Sequence, residues 1–407
     1  MPGLQAPLGQ QEVIMCSKES TYGSFNSSNQ VWHAFSTHGP KITTAAIERM
    51  PRQSLAKPYP GTGGRSVAMS LDVETDEDTF NQWLYFTLGA QTAPTATLFS
   101  STLTANANTS ATSCQLASTN LLMVGQSLTI DSGGSNPETV TVTGIIGINT
   151  VSFTPALAHN HTTNATCIVT GGTARMSTFT MGTPLPSFSM QVVRPGGTTQ
   201  DYLGSCVDSL TLSMAEGQAL KAKLNLKAQQ VVKDSSPLTP VMSILNPYIF
   251  AQQSTAAQIG GEVPGYLSAA TLKSWQLTIN NNLKENWGFG NGNIVRNFQE
   301  QLRAVTGTMT LLFETDTQRS NFDAALNGGN LPPITMLIPI LGTDTASSAS
   351  PYGFGLYMAN VFLSSYALAD DTSKPTQQTV AFNAAESSPG SNDPVSVTYI
   401  SKKSGNF

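Results

Sequence analysis

Charge is scarce in this chain. Asp, Glu, Lys and Arg make up 11% of its 407 residues, well under the ~25% usual for soluble proteins. The net charge is −5, which argues against tight binding to phosphate backbones, because that needs concentrated lysine and arginine. Cysteine is nearly absent. Cys16, Cys114, Cys167 and Cys206 are too few and too scattered for a disulfide framework or a zinc site, and they fit a reducing cytosol. No run approaches the roughly 20 apolar residues of a membrane span. The opening MPGLQAPLGQQEV lacks a basic region followed by an apolar stretch, so no secretory leader is expected. There is no glycine-rich phosphate loop, nucleophile elbow or metal motif, so neither an enzyme nor a cofactor is expected.

What fills the gap is Ser, Thr, Asn, Gln and Gly, beside 39% hydrophobic residues. Such a surface suits a protein covered by neighbours in an assembly, or an extracellular β protein. The most informative stretch is Ser66–Leu88. Val67, Met69, Leu71 and Val73 alternate as in a half-buried strand. Thr75 or Asp76 is placed to cap a helix, with Asp78 three residues after Thr75. Phe80, Trp83, Leu84 and Leu88 follow at helical spacing, and Gly89 stops the helix. Thr306–Leu326 repeats the pattern. Met69, Leu71, Glu74, Thr75 and Asp76 match Met309, Leu311, Glu314, Thr315 and Asp316 at one constant spacing. Thr315 with Gln318 rebuilds the cap, and Phe322 and Leu326 rebuild the apolar helix face. Leu185–Met190 matches Leu331–Met336 at a shorter spacing. Two copies of one unit are therefore expected, the first carrying an insertion between Gly89 and Leu185.

Taken in order, 1–41 reads as a mostly irregular arm. Copy one is 42–90 with 184–232. Residues 91–183 form the insertion, a small all-β module with short strand runs between Gly and Asn turns, whose ends must lie close together. Residues 233–265 read as a proline-rich connection, 266–386 as copy two, and 387–407 as a polar tail. Met50–Gly64 and Lys284–Gln301 are long loops in equivalent places. Each copy offers about six strands and one helix after the central pair. The fold class is mainly β, two tandem β-sandwiches each flanked by one helix, plus the inserted module.

Few groups invite chemistry. His159 and His161 offer two metal ligands without a third. Glu74, Asp76, Glu77 and Asp78 sit where a helix N-terminus favours anions, and Asp370-Asp371 is a second acidic pair. Cys114 and Cys167 lie near the ends of the insertion, as two buried thiols or a disulfide. Asn26, Asn108, Asn160 and Asn164 open glycosylation sequons that read as chance. Lys221, Lys223 and Lys227 share the wet face of one strand and are expected on an inter-domain face, paired with acids.

The two strand-to-helix units, the two long loops and the Cys206–Gln229 hairpin together resemble the tail tube proteins of long-tailed bacteriophages. The resemblance implies tandem tube domains and a homotrimeric, pseudo-hexameric ring. Rings would stack into a hollow tail tube, with the inserted module, similar to the immunoglobulin-like modules of phage tails, outside. Arg52, Lys57, Tyr59, Trp287, Phe289 and Asn291 would lie in the ring-stacking loops. Implied partners are the tape measure protein and genomic DNA in the lumen, with terminator and distal tail proteins at the ends. The implied location is the virion, after assembly in the host cytoplasm. The alternative reading is a bacterial surface adhesin binding an extracellular ligand.

Overall fold

The computed structural model describes residues 13–33, 35–47, 61–119, 122, 124–146, 149–170, 174–193, 199–234, 238–239, 248, 258–260, 272–288, 294–312, 334–347, 350–369, 376–386 and 393–401. The protein is mainly β, in antiparallel sheets, with one short helix among the described residues.

The chain opens with strands Val13–Lys18 (β1), Val31–His33 (β2) and Phe35–Ile47 (β3). The expectation of an irregular arm over 1–41 is corrected here. Ile14, Met15 and Cys16 are consecutive and fully buried, so β1 shows no period of two. β3 holds Gly39 and Pro40, which disguise it, but an edge strand tolerates proline because one side of its ladder is open. Gly61–Glu74 (β4) keeps the expected alternation. Val67, Met69, Leu71 and Val73 are buried and Ala68 is exposed.

The helix Phe80–Leu88 (α1) ends at Gly89, in the left-handed region at φ 100°, with its N–H on the Tyr85 carbonyl. All nine of its residues are buried, not one stripe of them. Phe86 stacks on Phe188 at 4.3 Å between ring centroids, and Trp83 meets the same ring edge-on. The polar side chains find partners inside. Trp83 donates to Nδ1 of His33 (3.1 Å), which leaves the His33 Nε2 hydrogen for Gln82 Oε1 (2.8 Å). That arrangement selects the neutral imidazole.

Gly89–Gln91 (β5) leads into the insertion. Its strands are Thr97–Thr102 (β6), Ser113–Gln115 (β7), Ser127–Ile130 (β8), Glu138–Ile146 (β9), Thr150–Thr154 (β10) and Thr166–Thr170 (β11). They form a separate sheet in the order β6-β11-β8-β9-β10-β7. A bridge from Leu103 to Leu116 joins its two ends, and Leu128, Val140, Val151, Phe153 and Cys167 fill the centre. β6 lies in a tract that reads as Thr/Ala/Ser low complexity. Arg175–Met181 (β12) falls inside the expected insertion yet belongs to the main sheet, pairing β5 and the C-terminal strand. Met181 lies opposite Gly89, so the chain leaves and re-enters at one point.

Phe188–Val193 (β13), Thr199–Ala215 (β14), Lys221–Ala228 (β15) and Gln230–Asp234 (β16) complete the first half. The second half has Gln258–Gly260 (β17), Leu272–Asn280 (β18), Lys284–Asn286 (β19), Asn297–Gln299 (β20), Ala304–Leu312 (β21), Ile334–Ser347 (β22), Ser350–Ala369 (β23), Gln377–Ala385 (β24) and Ser396–Ser401 (β25). β16 reaches into the connection expected over 233–265, and β17 lies within it. β25 corrects the polar tail. Val395, Val397, Tyr399 and Ile400 are all buried. The second helix expected over Thr315–Leu326 lies outside the described residues.

Pairing order repeats. In the first half the neighbours run β13-β14-β15-β4-β3. In the second they run β22-β23-β24-β21-β18. Met69 lies opposite Leu226, and Met309 opposite Val380, so the matched methionines occupy matched places. β14 and β23 each cross from one sheet to the other. Residues 199–205 of β14 pair β13 and β16, and residues 206–215 pair β15 and β18. Gly204, at φ 59°, turns the strand where a Cβ would meet Gln229. One apolar core runs through both halves, from Leu71 and Leu224 to Trp275, Met309 and Phe354.

Candidate assembly surfaces

Eight strands form one continuous sheet, β3-β4-β15-β14-β18-β21-β24-β23. Its centre is the ladder from β14 to β18, where the halves meet. Ser209 faces Asn280 and Ala215 faces Ser274. Leu210 and Leu277 are fully buried there. The sheet ends at the outer edge of β3 and at the outer edge of β23 beyond residue 361. Neither edge has a strand partner among the described residues.

The repeat assigns counterparts to these positions. Leu210 pairs Leu224, which pairs Leu71. In the second half Leu368 pairs Gln378, which pairs Leu311. Likewise Leu277 pairs Gly307, and Ile42 pairs Val67. Leu368 and Ile42 are thus the counterparts of Leu210 and Leu277, yet they are 47% and 45% exposed. Two apolar side chains, buried at the junction inside the chain, lie open at its two ends.

Other contacts reinforce the internal junction. Arg303 donates to the Leu88 and Gly182 carbonyls (3.3 and 2.7 Å) and pairs with Glu300 (2.6 Å). Asn281 donates to the Thr87 and Val207 carbonyls, both at 3.0 Å. Side chains of the second half therefore satisfy the last carbonyls of α1, which no intrahelical donor reaches. Sequence reasoning missed this clamp. Its signal was an arginine and an asparagine flanking the Lys284–Gln301 loop.

That loop is a short hairpin of β19 and β20 laid along β4. Ile294 bridges Arg65, and a Cβ on Gly64 would lie 2.7 Å from the Trp287 ring. Trp287 is 42% exposed. Arg52, Lys57, Tyr59, Phe289 and Asn291 lie outside the described residues, as do Thr315, Asp316 and the pair Asp370-Asp371.

The cap residues differ from expectation. The helix N-cap is Thr79, without a side-chain cap bond. Thr75 instead donates its hydroxyl to the Leu220 carbonyl (2.7 Å). Asp76 accepts the amides of Asp78 (2.8 Å) and Thr79 (2.7 Å), and the Thr79 hydroxyl. It closes the turn before the helix. Tyr399 donates to the Asp76 carbonyl (3.0 Å) and bonds Tyr248 (3.1 Å). Burial holds both phenols far above their ordinary range.

In the inserted sheet, His161 is buried beside Glu138 (3.0 Å), whose carboxylate also accepts the amides of Ala158 and His159 (both 2.7 Å). Burial opposes the Glu138 charge, but those three donors outweigh it and hold the carboxyl below its usual range. The histidine pair is thus part of a loop clasp. Among the described residues no cluster of His, Cys, Asp and Glu is arranged to hold a metal. The four thiols are buried and unbonded. Burial pushes Cys114 up to about 11 and Cys167 to about 12. Asn26 and Asn160, from two of the sequons, are engaged with the Lys18 carbonyl and with Thr109.

The lysines stand on β15, between β4 and β14 rather than on the junction itself. Lys227 pairs with Asp208 (3.4 Å) and donates to the Leu283 carbonyl (2.5 Å). Lys223 lies opposite Asp72, and Lys221 opposite Glu74.

A family model described as phage tail tube protein matches residues 9–399. The chain belongs to that family. A search of curated proteins returns no match. Membership makes this tail tube protein a structural component of the phage tail that assembles with itself. No helix among the described residues is long and apolar enough to cross a membrane.

Proposed function

We propose that three copies of this tail tube protein close into a ring of six alternating halves, and that such rings stack into a conduit for genomic DNA. The observation carrying this is the mismatch between one satisfied junction and two open edges of the same design. Within the chain, β18 adds to β14. By the repeat, β3 of the next protomer adds to β23 in the same register, burying Ile42 and Leu368. An interface that joins one end of the chain to the other is heterologous, and it closes when the rotation divides a full turn. Pairing also removes two exposed strand edges that otherwise invite aggregation.

The Lys284–Gln301 hairpin and its counterpart over Met50–Gly64 serve as contacts between stacked rings, with Trp287 among them. The inserted sheet hangs outside, because its stem at β5 and β12 is a single point on the wall. The tape measure protein and DNA share the lumen, and terminator and distal tail proteins meet the two ends of the tube.

Electron microscopy of the purified protein tests this, together with Thr43→Cys plus Ala369→Cys. Those positions correspond to Thr211 and Thr278, which face each other with hydroxyls 3.1 Å apart. Hollow tubes and covalent links between protomers are expected. Dispersed monomers sink the ring. Tubes whose cysteines never join sink this ladder as the means of closure.

A further inference from the structure

One row across the core-facing side of the eight-strand sheet exists in two versions. The first crosses the internal junction as Leu71, Leu224, Leu210, Ile279 and Val305, each lying opposite the next. All five are apolar, and none is more than 2% exposed. The repeat gives the second version, divided between the two ends of the chain. Leu311 lies opposite Gln378, and Gln378 opposite Leu368, at the edge of β23. Thr44 lies opposite Arg65 at the edge of β3. Gln378 thus stands where the first half has Leu224, and Arg65 where the second half has Val305. Each of the two lacks a partner within the chain. Gln378 is 2% exposed, and its Oε1 is buried without a hydrogen bond, an arrangement that costs stability. Arg65 is half-buried. It lies two residues before buried Val67 and so on the same face, and its guanidinium engages none of the described residues.

We propose that Arg65 of the next protomer donates to the buried Gln378 oxygen when the ring closes, and that this pair tells the closing edge from the internal junction. The proposal rests on the ring reading and names the residues that make its contact selective. With β3 of the next protomer added to β23, the row reads Leu311, Gln378, Leu368, Thr44, Arg65. Three strand spacings, about 14 Å, separate the glutamine from the arginine. An arginine stem lies along apolar side chains while its head group seeks a polar partner. The guanidinium therefore crosses over Leu368 toward the carboxamide, and the two extended side chains cover the span. Wrong pairings lose this contact. A β18 edge on β23 would bring Val305 to Gln378 and leave the oxygen unpaired. A β3 edge on β14 would set Arg65 against Leu224. Two junctions of one ladder design are thus kept apart by a penalty on the incorrect partner.

The test uses full-length protein carrying Gln378→Leu, Arg65→Val, or both. The double variant gives the closing edge the two apolar residues of the internal junction. In dilute, unassembled protein Gln378→Leu should melt at or above the wild-type temperature, because it removes a buried acceptor that has no donor. In assembly, followed by sedimentation and electron microscopy, the same variant should raise the protein concentration needed for rings by about tenfold, since Arg65 then meets a leucine. Arg65→Val should act likewise by leaving Gln378 unpaired in the closed ring. The double variant should recover most of either loss, which is the coupling expected of a direct pair. A Gln378→Leu chain that melts below wild type, single variants that assemble like wild type, or a double variant whose losses add each overturns the proposal. Wild-type tubes that link through Thr43→Cys and Ala369→Cys, beside uncoupled variants, leave the ring standing and remove only this pair. Absence of tubes from wild type removes both.

Discussion

The two halves share a ladder order and almost no chemistry. The cross-strand pair Val67 and Ala228 in the first half corresponds to Gly307 and Phe382 in the second. A medium and a small side chain are replaced by none and a large one. On the opposite face, Lys223 and Lys227 correspond to Gln377 and Ala381, and Asp72 to Leu312. The fold therefore depends on which positions are apolar, on their alternation, and on summed volume, rather than on residue identity. The sharper contrast is between the junction inside the chain and the open ends. Leu210 and Leu277 hold the halves together, whereas Leu368 and Ile42 wait at the edges.

The largest effect should come from placing one charge on each side of that contrast. Leu210→Asp or Leu277→Asp buries an unpaired carboxylate in the core, which costs several kcal/mol. The chain should lose its cooperative thermal transition. Leu368→Asp or Ile42→Asp should leave the monomer's melting temperature within a few degrees of wild type and abolish rings, by sedimentation and microscopy. If the edge variants still form rings, the edges are not the closing contact.

Gly307 sharpens the comparison of volumes. A Cβ there would lie 2.2 Å from the Phe382 ring and 2.7 Å from the Gln276 carbonyl oxygen. Gly307→Ala should destabilise by about 1–3 kcal/mol through overpacking, read from denaturant unfolding. Phe382→Ala in the same chain should recover part of that loss, although the backbone oxygen remains close. At Val67 the corresponding change to Ala should cost less than Gly307→Ala, since it removes two methyl groups without a clash.

The clamp on α1 should weigh less. Arg303→Ala leaves the Leu88 and Gly182 carbonyls without this donor and the Glu300 carboxylate without its guanidinium. A loss of about 1–2 kcal/mol is expected, with faster hydrogen exchange at the amides of β14 and β18. Unchanged protection along that ladder would mean the clamp does not couple the halves.

Much of this was legible in the sequence where burial is one-sided. β4, β15 and β18 alternate because one face meets the core and the other does not, and Gly89 ends its helix as a left-handed cap. Two kinds of element were hidden. β1 has four consecutive buried residues, so no period marks a wet face, and α1, although legible as a helix, gives no sign that all of its residues are buried. β3, β16 and β25 lie in polar, proline-rich or terminal stretches whose pairing is decided by distant strands. The helix cap was misplaced because Thr75 looks like a cap locally while its partner, the Leu220 carbonyl, comes from elsewhere in the chain, and because the Asp76 carboxylate closes the turn that precedes the helix. The assembly surface was unreadable for a different reason. Ile42 and Leu368 are ordinary core residues by pattern, and their exposure appears only when the ladder shows where the chain stops.

The smallest expected effect separates the inserted sheet from the wall altogether. Glu138 owes its lowered pKa to the folded loop that brings Ala158, His159 and His161 to it. A carboxyl depressed in the folded state stabilises fully above the ordinary glutamate value, about 4.3, and that contribution is lost as pH falls through its lower folded value. Lowering the pH through this range should therefore weaken the inserted sheet, and Glu138→Gln should remove the part of that sensitivity the carboxylate supplies. Because the inserted core and the main core are distinct clusters, calorimetry should show the change in one transition and leave the other in place. A single transition that moves as a whole would mean the module and the wall unfold together, and the inserted sheet would then be a structural part of the tube rather than an appendage.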